Sequence, residues 1–244
     1  MRISHKRNTS PTSALPEAES KAAFVKSMFD EISPRYDIIN RIMTMRLDVK
    51  WRKYAASALG VDPGSMVLDV ATGTGDFVRL LRRQGFRCIG IDFSLGMLKA
   101  GGIDSVLQGD ASRLPFPNDS FDAITCGFAL RNFVSLDDVF AEMARILHLG
   151  GRIALLEVSR PTTPGISQLH SFYFDTVVPK IGTLLSNSKA YHYLPESTAY
   201  LPSESQLREK LINAGFSDIE FRYFLFGTSQ VISATLNTGE SISK

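Results

Sequence analysis

Two acids, Asp92 and Asp110, each close a short apolar run. Both lie downstream of "LDVATGTGD", residues Leu68 to Asp76, in which Gly73 and Gly75 stand two apart. Glycines at that spacing let a backbone turn tightly and approach a ligand closely. A nicotinamide fingerprint needs a third glycine at position 78, which is Val78 here. A Walker loop needs Lys and Ser or Thr after its last glycine, but Asp76 follows Gly75. An acid there repels a phosphate from the helix N-terminus. A glycine turn with no ligand is the plain structural option. A phosphate-free adenosine ligand suits the acids better. Asp92 can accept hydrogen bonds from both ribose hydroxyls, or it caps the helix beginning "SLGML". Asp110, in "GDASRLPF", can accept from an adenine amino group while the Ala111 amide meets a ring nitrogen, or it serves a turn. Three strand ends with polar contacts and no phosphate clamp suggest S-adenosylmethionine. Asp69 and Asp76 add negative charge that suits its sulfonium and amino groups.

These residues need a frame, and the sequence supplies an alternation. "SMVLDVA" reads as a strand, "GDFVRLLRRQG" as a helix, "RCIGIDF" as a strand, "SLGMLKAG" as a short helix and "SVLQGDA" as a short strand. "FDAITCGFA" is a strand, "LDDVFAEMARILHLGG" a helix ending in a glycine pair, and "RIALLEVS" a strand. Such alternation predicts an α/β fold with a doubly wound, mostly parallel sheet. Upstream, "KAAFVKSMFDEIS" and "YDIINRIMTMRLDVKWRKYAASAL" read as two helices separated at Pro34. Residues 161–200 break the rhythm and read as helices inserted over the sheet. "ESQLREKLINAGF" returns as a helix, and "IEFRYFLFGTSQVISATL" as a terminal hairpin. The expected organisation is a disordered tail over 1–20 and one domain over 21–244. That domain divides into a helical lid (21–60), a cofactor-binding core (65–160), a substrate-side insertion (161–200) and a final helix with strands (201–236).

Composition excludes several classes. A length of 244 residues allows one sizeable core. A net charge of +2 is too weak to argue for nucleic acid. There is also no Asn/Asp-Pro-Pro-aromatic stretch to grip a flipped base. No apolar run reaches the ~18 residues of a membrane span. "MRISHKRNTS" is basic and acid-free, either a disordered tail or a transit segment. Cys88 and Cys126 lack ligand-like spacing and read as buried thiols in a reducing compartment. No metal is expected, and the expected location is the cytoplasm or the periphery of the inner membrane.

The motifs "LDVATGTGD", "IDFSLGML", "GDASRLPFPNDSFDAITCGFALRNF" and "ARILHLGGRIALLEVSRP" resemble the ubiquinone/menaquinone biosynthesis C-methyltransferase family. So does "FDEISPRYDIINRIMTMRLDVKWR". The resemblance covers about Val25 to Leu236. It implies a class I methyltransferase fold of seven strands, the last antiparallel, and methyl transfer from S-adenosylmethionine to a ring carbon of a polyprenyl hydroquinone. It places Thr74, Asp92, Asp110, Ala111 and Gly127 on cofactor-binding positions. Phe93, beside Asp92, is counted with them, as are Asp69, Gly73 and Gly75. The chain departs from the family in three places: a short "LKAGGIDSVLQGD" that truncates a helix, Gly127 where Ser is frequent, and "ATGTG" as a variant of the glycine-rich consensus.

Ring methylation needs a nucleophilic carbon, which a deprotonated hydroquinone supplies. Arg131 is the candidate to favour the phenolate, or else a salt bridge that ties down its loop. Asn132 is the candidate partner of the other ring oxygen. Tyr36 is a lid, hydrogen-bond partner or proton relay, or else core packing of the N-terminal helices. His170 is an outside candidate for a base and more simply structural. The apolar "ISQLHSFYFDTVVPKIGTLL" lines a channel for the isoprenoid tail, touches a bilayer peripherally, forms a homodimer face or packs as core. Two other readings stay open: an O- or N-methyltransferase of the same fold, and a non-catalytic S-adenosylmethionine-binding partner protein. The sequence leaves naphthoquinol against benzoquinol, and tail length, undecided.

Overall fold

The computed structural model describes residues 18–159, 161, 165, 168, 193 and 197–237. Seven strands form one sheet in the order β3-β2-β1-β4-β5-β7-β6. They are β1 (Met66–Val70), β2 (Arg87–Asp92), β3 (Val106–Gln108), β4 (Phe121–Gly127), β5 (Leu147–Val158), β6 (Phe216–Phe224) and β7 (Ser229–Leu236). Strands β1 to β5 pair in parallel, and β7 lies antiparallel between β5 and β6. The order reverses between β1 and β4, so ligands belong at their carboxyl ends.

The central strands β1 and β4 read as continuous apolar runs because both faces are covered, whereas the edge strand β6 alternates. In β1, Leu68 and Val70 join one core with Phe140 and Met143, while Val67 joins another with Leu81 and Leu59. The first core is covered by α6 (Leu136–Ile146) and α7 (Glu204–Asn213), the second by α3 (Leu47–Ala58) and α4 (Asp76–Arg83). Helix α5 (Leu95–Gly101) follows β2. Cys88 and Cys126 are buried free thiols. No helix among the described residues is long and apolar enough to cross a membrane.

Two expected elements are corrected. The helix read over 36–59 is two, α2 (Tyr36–Met43) and α3, because Met45 and Arg46 hold φ of 50° and 62° and break the helical ladder. The helix read through the glycine pair stops at Ile146, and β5 begins at Leu147. Leu147 pairs with Phe121 and Arg152 with Ala123, so the glycines sit in a bulge of β5. Gly150, at φ 77°, supplies the conformation a bulge requires.

Helix α1 (Ala18–Ile32), a short turn at Ser33–Arg35 and α2 pack near the carboxyl edge of the sheet. The Asp30 carboxylate accepts from Ser94 Oγ at 2.6 Å and from Gly96 N at 2.8 Å, which fastens α1 to the head of α5. Gly96 is required there: a Cβ would lie 2.9 Å from the Asp30 Cα.

Candidate active site

The glycine turn after β1 is built from within. Asp69, buried, accepts from Thr72 Oγ1 at 2.6 Å and Thr125 Oγ1 at 2.7 Å, which pins the turn to β1 and β4. Gly73 and Gly75 hold φ of 57° and 86°. Space around them is full. A Cβ on Gly75 would overlap the Ile103 side chain, and one on Gly101 would overlap the Thr74 carbonyl. Thr74 turns its hydroxyl away from the turn to donate to Asp37 Oδ1 at 2.6 Å.

Asp92 ends β2 with its carboxylate fixed by two amides, Gly73 N at 2.7 Å and Ser94 N at 2.8 Å. Burial holds its pKa above the usual range. Asp110 accepts from Ser112 N and Oγ, both at 2.8 Å, in a turn that leaves Ala111 beside it. Gly127 ends β4 where a Cβ would lie 2.8 Å from the Phe77 ring, so a side chain there needs that ring to move.

These strand ends open on a cavity of about 430 Å³. Gly73, Asp92, Phe93, Asp110, Ala111 and Gly127 line its sheet side, and Tyr36 and Asn132 line it too. Asp69, Thr74, Gly75 and Arg131 stand behind the wall. Of the walls described, Asp92, Asp110 and Asp138 carry acid, and Lys26 is the only Lys or Arg among the described lining residues. Such a wall suits a cationic adenosine ligand, and its one described lysine, itself paired with Asp30, is too little to neutralise a row of phosphates. No group of three potential metal ligands occurs among the described residues.

Arg131 lies in a buried ion pair. Its guanidinium bonds Glu157, donates to Phe128 O at 2.9 Å and, through Nε, to Ser197 Oγ at 3.0 Å. Glu157, at the end of β5, also accepts from Val158 N at 2.8 Å and is fully buried. Next to it, the Asn132 amide accepts from the Tyr193 hydroxyl at 3.4 Å. Burial raises the Tyr193 phenol to about 12. Burial also raises the Tyr36 phenol, against the pull of the Arg52 and Arg131 cations. Its ring meets Phe29 edge-on at 6.0 Å. His170 and most of 161–200 lie outside the described residues.

Several residues of the site carried no chemical signature in the sequence. Ala22, Val25, Lys26 and Phe29 of α1 close the cavity from the front. Their helical spacing was legible, but it is the spacing of any packed stripe. Lys21 donates to Phe133 O at 2.8 Å and lies 4.0 Å over the Tyr200 ring. Burial lowers its ammonium to about 8. Arg41 joins Asp48 and Asp76, the latter at 2.8 Å, and so ties α2 and α3 to the head of α4.

Burial raises the Asp69 carboxyl to about 7 from an ordinary 3.8. A raised acid stabilises the fold fully below its unfolded value and loses that contribution as pH rises through its folded one. Asp69→Asn keeps a polar side chain for both threonines without the charge. Melting curves from pH 4 to 7 should therefore show the parent losing stability relative to Asp69→Asn, with no further divergence above about pH 8. Parallel curves would remove this assignment.

The ubiE/COQ5 methyltransferase family model matches residues 17–235. The chain is 37% identical over 233 residues to a ubiquinone/menaquinone biosynthesis C-methyltransferase of Geobacter sulfurreducens, covering 90% of this chain and 89% of that one. It is 40% identical over 231 residues to a demethylmenaquinone methyltransferase of Roseiflexus castenholzii, covering 90% and 96%. Among solved structures, a putative methyltransferase in complex with the Haloferax volcanii Trm112 activator aligns with a TM-score of 0.63 at 20% identity, over 86% of this chain and 97% of that one. A methyltransferase of Thermotoga maritima aligns at 0.62 and 18%, over 87% and 99%. At those identities the structures speak for the fold, which is that of S-adenosylmethionine-dependent methyltransferases. The match of the family model across the sheet, the glycine turn and the helices that front the cavity shows that this chain belongs to the ubiE/COQ5 methyltransferase family.

Proposed function

We propose that this chain methylates a ring carbon of a polyprenyl hydroquinone. The observation that carries the reading is the match to quinone-ring methyltransferases along nine-tenths of the chain. S-adenosylmethionine, when bound, supplies the methyl group as an electrophilic sulfonium. The chain's residues bind and orient. Asp92, held by Gly73 N and Ser94 N, keeps lone pairs for ribose hydroxyls. Asp110 and the Ala111 amide face the adenine, with Phe93 beside them. Gly73 and Gly127 keep the wall free of side chains. Asp69, Thr74 and Gly75 hold the turn in shape from behind.

On the substrate side, Asn132 offers its amide to a ring oxygen. Tyr36, whose phenol burial raises further above its already alkaline ordinary value, donates to the ring or closes over it. Arg131 is paired with Glu157, so its part is to hold the Phe128–Asn132 turn that presents Asn132 to the cavity. The N-terminal helices act as a lid that excludes water.

The decisive assay gives the purified protein S-adenosylmethionine and a demethylated quinol, reduced or oxidised. A carbon-methylated product from the reduced ring alone is expected. A product methylated on oxygen or nitrogen, or equal turnover of the oxidised ring, would overturn the reading. In the same preparation Asp92→Ala should weaken cofactor binding by about 5- to 150-fold, the scale of losing hydrogen bonds to a charged group. Calorimetry showing unchanged affinity would remove Asp92 from the site.

A further inference from the structure

Two protrusions hold large apolar side chains in solvent, and each includes residues on strained backbone. One runs along α2 into its link with α3, where Met45 is the strained residue. Ile38, Ile42 and Met45 recur there at helical spacing and are 62%, 45% and 67% exposed. The other is the β6–β7 turn, where Leu225 and Phe226 are 45% and 75% exposed. Met45, Leu225 and Phe226 hold φ of 50°, 44° and 57°. Left-handed backbone is unfavourable for bulky residues, and glycine or asparagine would adopt it at less cost. Burial does not offset that cost here. Strain retained without local benefit points to function.

Both protrusions lie at the carboxyl edge of the sheet, on the α3 side. Arg152, near the amino end of the β4–β5 pairing, donates to Ala58 O at 3.3 Å, so α3 runs against the strands and its head lies at the carboxyl edge. Strand β6 ends at the same edge, because β7 reverses direction twice over between it and β5. Ser159 N donates to Thr228 O at 2.9 Å, which joins the turn to the end of β5. The Phe224 ring meets Tyr54 at 5.0 Å and Trp51 at 6.5 Å, which sets the turn beside α3. Lys50 and Lys53 project from that helix, with Arg46 before it and Arg222 in the adjoining strand, all exposed. Asp48, the acid of the 38–54 stretch, is buried between Arg41 and Arg52. Glu204, near the turn, is bonded by Tyr223 and Arg208.

We propose that these protrusions form a docking face for an anionic bilayer. The apolar tips enter the headgroup layer and the cations meet lipid phosphates. The face shares the sheet edge with the cavity, so docking brings the site to the surface of the bilayer that dissolves a polyprenyl substrate. The inference rests on that proposed substrate. Charge selects the bilayer over a second copy of the chain. A two-fold interface through this face would set four exposed cations, Arg46, Lys50, Lys53 and Arg222, against their own copies with one exposed acid, Glu220, to offset them.

The test is co-sedimentation of the full chain with vesicles of phosphatidylcholine alone or with about 30% phosphatidylglycerol. Binding is expected on the anionic vesicles and should weaken with salt. The double variant Ile42→Asn/Phe226→Asn should reduce partitioning by at least about tenfold, since two apolar tips are lost. Both positions are exposed and asparagine suits the backbone at 226, so the melting temperature should hold. The variant should methylate a short-tailed soluble quinol like the parent and a long-tailed quinol in vesicles more slowly. Equal binding to neutral and anionic vesicles, no binding by the parent, or unaltered binding by the variant would overturn the proposal. So would a sedimentation-velocity dimer that the variant abolishes. Anionic binding by the parent with no transfer to either quinol would overturn the substrate reading and support the docking face.

Discussion

Arg131→Ala should destabilise the protein by about 3–5 kcal/mol, because it leaves the buried Glu157 carboxylate without its cation. For a chain of this size that is a fall of roughly 6–20 °C in melting temperature. A kinetic defect in this variant alone would therefore be ambiguous. Arg131→Ala/Glu157→Gln removes the orphaned charge along with the guanidinium and should recover much of the loss. If Arg131 also favours the phenolate, the double variant keeps its cofactor affinity while kcat stays down by roughly 10²-fold. Its rate should then continue to rise with pH beyond the parent's plateau, since solvent base must ionise the phenol. Arg131→Lys should recover part of kcat, because an ammonium keeps the charge and loses the planar fork. A double variant with the parent's kcat and pH profile would show Arg131 to be a tether alone.

Removal of residues 1–37 should lower turnover by more than roughly 10²-fold, the scale of losing substrate positioning. Removal of 1–17 should leave it unchanged. The longer cut takes away Lys21 from Phe133 O, Asp30 from Ser94 and Gly96, and Asp37 from Thr74. These end on loops beside the cavity or on the head of α5. Because the cut also exposes Ile39, a milder variant belongs beside it. Asp30→Ala/Asp37→Ala keeps the helices and removes their carboxylate anchors, and it should release the cofactor faster. Stopped-flow release at the parent's rate, together with full activity in the longer truncation, would end the lid assignment.

The sheet was legible because both of its faces are covered. Strands such as "MVLDV" and "AITC" then have no polar face to hide, and their flanking glycines mark the ends. The glycine turn and the two acids were legible for the same reason, since they sit where those runs stop. The break at Met45 and Arg46 was not, because neither residue advertises a left-handed backbone. The start of β5 was hidden by Leu147, which continues the apolar spacing of α6. Long-range pairings were hidden most completely. Nothing in "LLEV" marks Glu157 as the partner of Arg131, and nothing in "PRYD" ties Asp37 to Thr74. Such partners are chosen by the fold that brings them together.

The glycine turn has an outer wall that is easily overlooked. Gly101 presses on the Thr74 carbonyl and Ile103 fills the space above Gly75, so the abbreviated stretch after α5 is moulded to the turn from outside. These two segments travel as a unit. A chimera that imports the turn of a relative while keeping residues 101–103, or grafts a longer helix there beneath the native turn, inherits mismatched halves of one surface. Variation at Gly101 should thus register as cofactor weakness, although Gly101 does not line the cavity. In a saturation library this position should cluster with Gly75 rather than with its neighbours on α5.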